Sequence, residues 1–405
     1  MSNLNRRNFL LSSGGTLAAL AAPGAAWAQE AAEKKSPPPL YQPTRNIFVA
    51  DSMSNFIVVI DLETGERVAS FDFAIRPHVM EVSRDRPMMA VGSPQASFMV
   101  MYDLKERKMT RVNLPSPAYQ FFFVPQSNLM AIGMSDCVGM IDYSDFTLSV
   151  FKQKFDSPNR KTVLDSFYSL LFSAFSQSFY VLEEEHPIIW RKRVNGMEDS
   201  EWDRLDFSNR IDTQRGFDVG VASPEDYLLT FTREDGNGGL IYFPEEDKLL
   251  STGSMRTATN IYKPMLMPYI DNYTKNVMFG NKDGTMVHFD LEAGIEKPER
   301  FTVDFSPRII RSGWLEGTWV LGGDKALMFQ SFKDPADRKI FRFSAEVTNM
   351  WVTGDSKTVY ITIDEEAPQV IPYDIRTREK LKPILTPGVL HAGIIRMGSN
   401  NSICY

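Results

Sequence analysis

The chain is poor in the residues that most often carry chemistry, with four histidines and two cysteines among 405 residues. Four imidazoles are too few for a multicopper cluster, and no cysteine stands at ligand spacing from a histidine. Cys137 and Cys404 are far apart, which removes zinc-ribbon, Cys-X-X-Cys redox and c-type haem readings. No Gly-X-Ser-X-Gly elbow, phosphate loop or dinucleotide fingerprint accompanies a strand-helix unit. Long apolar runs are also lacking. Beyond the N-terminus none exceeds the length of a strand, so no segment reads as a membrane span. Positive charge is in deficit, 44 Lys and Arg against 51 Asp and Glu, for a net charge of −7. Nucleic acid is therefore an unsuitable partner. Helical periodicity is confined to a short turn around Asp156 to Phe167.

What is present begins with a leader. Asn5-Arg6-Arg7-Asn8-Phe9-Leu10 precedes an uncharged stretch, Leu11 to Ala22, and then Ala26-Trp27-Ala28. Basic, apolar and small-x-small in that order is an export signal. The paired arginines followed by Phe9 and Leu10 resemble the twin-arginine type, which implies a periplasmic or secreted protein. Gly14, Gly15 and Pro23 interrupt the apolar stretch, which argues against a membrane anchor, since a span needs about 20 apolar residues. Residues 29–45, with Ser36 followed by three prolines, cannot bury a core and read as a flexible leader. Without Arg6 and Arg7 the net charge of −7 becomes −9. In an oxidising compartment Cys137 and Cys404 can form a disulfide that ties the tail to the body, or remain two thiols.

Residues 46–405 are repetitive. One unit runs from Arg76-Pro77-His78-Val79 through Val82 and Ser97-Phe98-Met99 to a strand ending in Tyr102-Asp103-Leu104, and the next starts at Tyr119. Comparable starts fall near Tyr168, Phe217, Lys263, Pro307 and Glu346, a spacing of roughly 40 to 50 residues that suits four-stranded propeller blades. Third strands repeat an apolar run closing on an acidic turn, as in Val58 to Gly65, Met286 to Gly294 and Val370 to Arg378. These segments read as hairpin loops. Asn46 to Phe73 supplies three strands with no first strand, and Gly388 to Met397 supplies a lone one. Pairing them closes the ring and removes open edges. The expected fold is all-β: a single β-propeller of eight four-stranded blades, with seven as the alternative.

Asn55 to Phe71 and Arg76 to Asp85 resemble the YVTN-type propellers, and among these the large subunits of periplasmic quinoprotein amine dehydrogenases. The resemblance covers the repeat architecture across nearly all of the chain after the leader. It implies a propeller subunit of a redox complex whose quinone or haem is carried by a partner chain. The tryptophan docking motifs of propeller alcohol dehydrogenases are missing.

Candidate site residues follow from the blade pattern. His288, at the centre of a third strand, reads as structural, and His186, after Glu183 to Glu185, as a solvated loop residue. His78 and His391 are different, because both stand at or near first strands, which line the central channel. An imidazole there can ligate a haem or a metal, or move a proton. The same blade entrances carry Arg76, Arg215, Lys263, Arg308 and Arg311, with Tyr119 and Tyr168 among them. Such a basic mouth suits an anionic ligand such as haem propionates or a carboxylated quinone. The alternative is that each arginine pairs with a nearby acid such as Asp212, Asp218 or Asp304. Twenty methionines, several in strands, are read as packing rather than copper(I) ligands. No dedicated metal site is expected. Two functions follow: an interaction subunit of a redox complex, with no cofactor of its own, or a cofactor-binding propeller holding haem, quinone or metal in its channel.

Overall fold

The computed structural model describes residues 37–400 except 153–154, 156–161, 164–165, 168–169, 234–237, 256–264, 295–297 and 364–367. The signal, most of the leader, Lys263, Tyr168 and Cys404 thus lie outside the described residues.

The alternating apolar runs form antiparallel strands grouped in eight blades, seven of four strands and an eighth whose outer position is shared by Glu379–Lys380 and Ile384–Leu385. The innermost strands of blades 1 to 8 are Ala392–Arg396, Val79–Val82, Ala118–Phe123, Leu170–Ser173, Phe217–Ala222, Tyr269–Asp271, Pro307–Gly313 and Val347–Val352. Four of the five expected starts fall at or beside these strands. In blade 6 pairing starts at Met265, bridged to Asn281, and the continuous strand only at Tyr269, past Pro268, which has no N–H to enter a ladder. The segment around Asp156 to Phe167 is not helical where it is described. It holds a two-stranded ribbon, Thr162–Val163 with Ser166–Phe167. The one helical element among the described residues is a 3-10 turn, Trp314–Glu316.

Apolar side chains bury themselves between blades. Met80 and Val82 of blade 2 pack with Phe48, Val59 and Phe73 of blade 1, and Met99, Met101 and Met130 join the layer between blades 2 and 3. These strand methionines are therefore core. The acidic turns are explained as well. Asp61, Asp103, Asp142, Asp290 and Asp374 end third strands, and each accepts a backbone N–H two or three residues on. Four residues after these aspartates the chain turns left-handed, at Gly65 and Gly294 but also at Arg107, Phe146 and Arg378.

The two chain ends share blade 1. Asn46–Asp51 pairs with Phe56–Asp61 on one side and with Ala392–Arg396 on the other, Val49 facing Ile395. Because strands alternate in direction, the connections into innermost strands and the turns between second and third strands share one face, the mouth. The remaining turns form the far face.

Candidate functional site

At the mouth of blade 2, Arg76, Pro77 and His78 lead into the innermost strand. The His78 backbone N–H donates to the Gly92 carbonyl at 3.0 Å. Gly92 has to be glycine there, since a Cβ would sit 2.7 Å from the ring of Phe121 in blade 3. Nδ1 of His78 lies 3.3 Å from the Arg76 carbonyl and 3.3 Å from Ser93 Oγ. A carbonyl only accepts, so the tautomer consistent with this contact has the hydrogen on Nδ1 and the lone pair on Nε2, across the ring. Arg76 is half-buried, and its Nε is buried without a hydrogen-bond partner. His78 and Arg76 thus stand together, one offering a lone pair and the other a cation.

The other candidates share the face but not the place. His391 is exposed, in the turn entering the innermost strand of blade 1, which neighbours that of blade 2. Arg215 is exposed on the connection into blade 5. Arg308 forms a close ion pair with Glu346 across blades 7 and 8, so its charge is compensated, and the mouth is less basic than expected. Asp212 and Asp304 are not its partners, being paired with Arg233 and Arg342. Cys137 is a buried thiol beside Met134 and Ser116, pushed up to about 12 chiefly by burial, and it has no disulfide partner among the described residues, outside which Cys404 lies.

His288 is buried as a structural residue, its Nε2 2.6 Å from Asn276 Oδ1, and burial lowers it to about 4. His186 is exposed as expected, whereas Glu183 beside it is buried and accepts from Trp190 Nε1 at 2.8 Å. Among the described residues no group of three or more His, Cys, Asp and Glu side chains is arranged to hold a metal ion.

Sequence reasoning passed over two charged groups on the channel-lining strands, Glu81 and Arg396. Arg396, in blade 1, donates through Nε to Glu81 Oε2 of blade 2 at 3.2 Å and lies 5.0 Å from the ring centre of Trp351 in blade 8. Burial pushes Glu81 up, to about 7, against the pull of Arg396. Their signal was a charge inside an aliphatic run, Met80-Glu81-Val82 and Ile394-Ile395-Arg396. Arg311, partly exposed in blade 7, donates through Nη1 to the Ile310 carbonyl at 2.8 Å, and its Nε is buried without a hydrogen-bond partner. An innermost strand is covered by blades on two sides and a strand on a third, so its exposure opens to the channel.

No family model matches the sequence, and no curated protein matches it. Solved structures do. The chain is similar to the dihydro-heme d1 dehydrogenase NirN in complex with DHE, at 14% identity and a TM-score of 0.67, over 90% of this chain and 77% of that one. It is also similar to apo AztD from Citrobacter koseri, at 10% identity and a TM-score of 0.56, over 87% and 97% of the two chains. The likeness is one of fold. Among the described residues no helix is long and apolar enough to cross a membrane.

Proposed function

We propose that this chain is an exported propeller that binds a planar anionic cofactor of the haem class at its channel mouth. His78 is its ligand through Nε2, and Arg76 is the partner of a carboxylate. The observation that carries this reading is the anchoring of His78 Nδ1 by the Arg76 carbonyl and Ser93. The carbonyl contact is consistent with one tautomer only, and the two contacts together orient the ring, as ligating histidines require. The buried, unpartnered Nε of Arg76 fits a propionate, which a guanidinium grips through paired N–H groups. The fold supports it, since the dehydrogenase it resembles was solved in complex with DHE. A bound haem supplies electron transfer. The chain's own part would be to hold it, through His78 Nε2 and the Arg76 guanidinium.

The test uses the mature chain, expected to begin at Gln29, titrated with haemin and followed by its visible absorption. Binding with a shifted Soret band is expected, lost in His78→Ala, weakened about tenfold in Arg76→Gln, and unchanged in His391→Ala. A His78→Ala spectrum indistinguishable from that of the unaltered chain overturns the assignment.

A second reading, an interaction subunit of an amine-dehydrogenase-like complex, is favoured by the far face. There Phe175, Tyr273 and Leu315 are 48%, 51% and 50% exposed on the turns between first and second strands, and Tyr273 stacks on Trp314 at 4.5 Å. Co-purification with a haem- or quinone-bearing chain, abolished by Tyr273→Asp with haemin binding intact, is the expected outcome for it. A monomer purified from its native source argues against it.

A further inference from the structure

We propose that a cleft at blade 5, lined by that blade and the connections before and after it, binds a small organic carboxylate with an apolar body, at a site separate from the channel mouth. The cleft measures about 660 Å³ and opens on the mouth face, within the range of small-molecule sites. Its apolar wall is Ile211, on the connection into blade 5, with Leu240 and Leu249 on the outer half of that blade. Its charged end is Arg233, at the close of the second strand of blade 5, whose side chain is only 10% exposed. One residue that faces that guanidinium is Asp212, with Oδ1 2.7 Å from Arg233 Nη1 and a side chain 81% exposed. A buried guanidinium that holds an exposed carboxylate of its own chain already performs the recognition proposed here. Asp212 stands where a ligand's carboxylate would, and its exposure makes it displaceable at little cost. Arg210, also in the wall, does not compete, since its Nη1 and Nη2 hold Asp247. The ligand is therefore recognised by one planar carboxylate at Arg233 and by a hydrocarbon or aromatic body against the leucines.

Calorimetric titration of the full mature chain with benzoate, octanoate and the neutral benzamide tests this. The two acids are expected to bind at millimolar concentration or below, and benzamide about tenfold or more weaker, the loss of one charge-assisted contact. Arg233→Met should remove that discrimination. Asp212→Asn should tighten benzoate severalfold by withdrawing the internal competitor, an effect a purely structural ion pair would not produce. Ser251→Trp, on the exposed rim of the cleft, should abolish binding without unfolding the chain, as read by circular dichroism. Equal affinity for benzoate and benzamide, unaltered binding in Ser251→Trp, or no binding of either acid at millimolar concentration overturns the proposal.

Discussion

Two histidines in this chain stand in opposite settings, His78 half-buried at the mouth and His288 buried between blades. His288 lies against the Trp319 ring at 5.4 Å and uses Nε2 on Asn276, and burial lowers it to about 4. The unfolded chain takes up a proton below about 6.5 that the folded chain refuses, so this residue removes stability as pH falls from about 6.5 towards 4, by up to about 3 kcal/mol. His288→Gln keeps a donor for Asn276 and does not titrate. In a Glu81→Gln background the melting temperature should therefore fall as pH drops from about 6.5 to 4.5, and adding His288→Gln should flatten that slope; an unchanged slope would remove the assignment. The role of His288 was legible from its place in the middle of a repeated strand. The setting of His78 was not, since its ring nitrogen meets both the Arg76 carbonyl and Ser93, the latter fifteen residues away on another turn.

Among the elements, the hairpins were the most legible, because a run of apolar residues closing on Asp needs only local hydrogen bonds. Asp51 resembles those turn aspartates, and its carboxylate does accept from the N–H of Met53 and the hydroxyl of Ser54. It also accepts from the backbone N–H groups of Leu390 and His391, 339 and 340 residues away. This carboxylate latches the last strand into blade 1. Burial pushes it up, but the four hydrogen bonds outweigh burial and hold it below the usual carboxylate range. The stability it confers is present above its unfolded value and lost as pH falls through the folded one. Asp51→Ala leaves four donors without their acceptor and should cost about 2–3 kcal/mol. The expected readout is a lower urea midpoint with faster amide exchange in Ala392–Arg396. Exchange confined to other blades would refute the latch.

Across the whole molecule, the ring is joined where the last strand meets blades 2 and 8. Arg396 holds Glu81 of blade 2 and lies over Trp351 of blade 8, whose Nε1 donates to the Ser399 carbonyl at 2.9 Å. Glu81, raised to about 7, keeps a proton when folded that it loses when unfolded above about 4.5. It therefore removes stability as pH rises through that interval, opposite in sign to His288. The unaltered chain should melt at nearly constant temperature between about pH 4.5 and 6.5, whereas Glu81→Gln should gain stability as pH rises and His288→Gln should lose it. Parallel curves for all three would exclude this compensation.

The sequence by itself determined the strand pattern, the eight repeats and the pairing of the two ends, because each follows from alternation and from turns closed within a few residues. It placed the candidate cations on one face without telling which remain available. Only the tertiary structure decided that Arg308 is taken by Glu346, that Arg76 stands beside an anchored His78, and that Arg233 faces a cleft. Those outcomes depend on which blade entrances come together in space, and a charge's partner is set by that distance rather than by its neighbours in the chain.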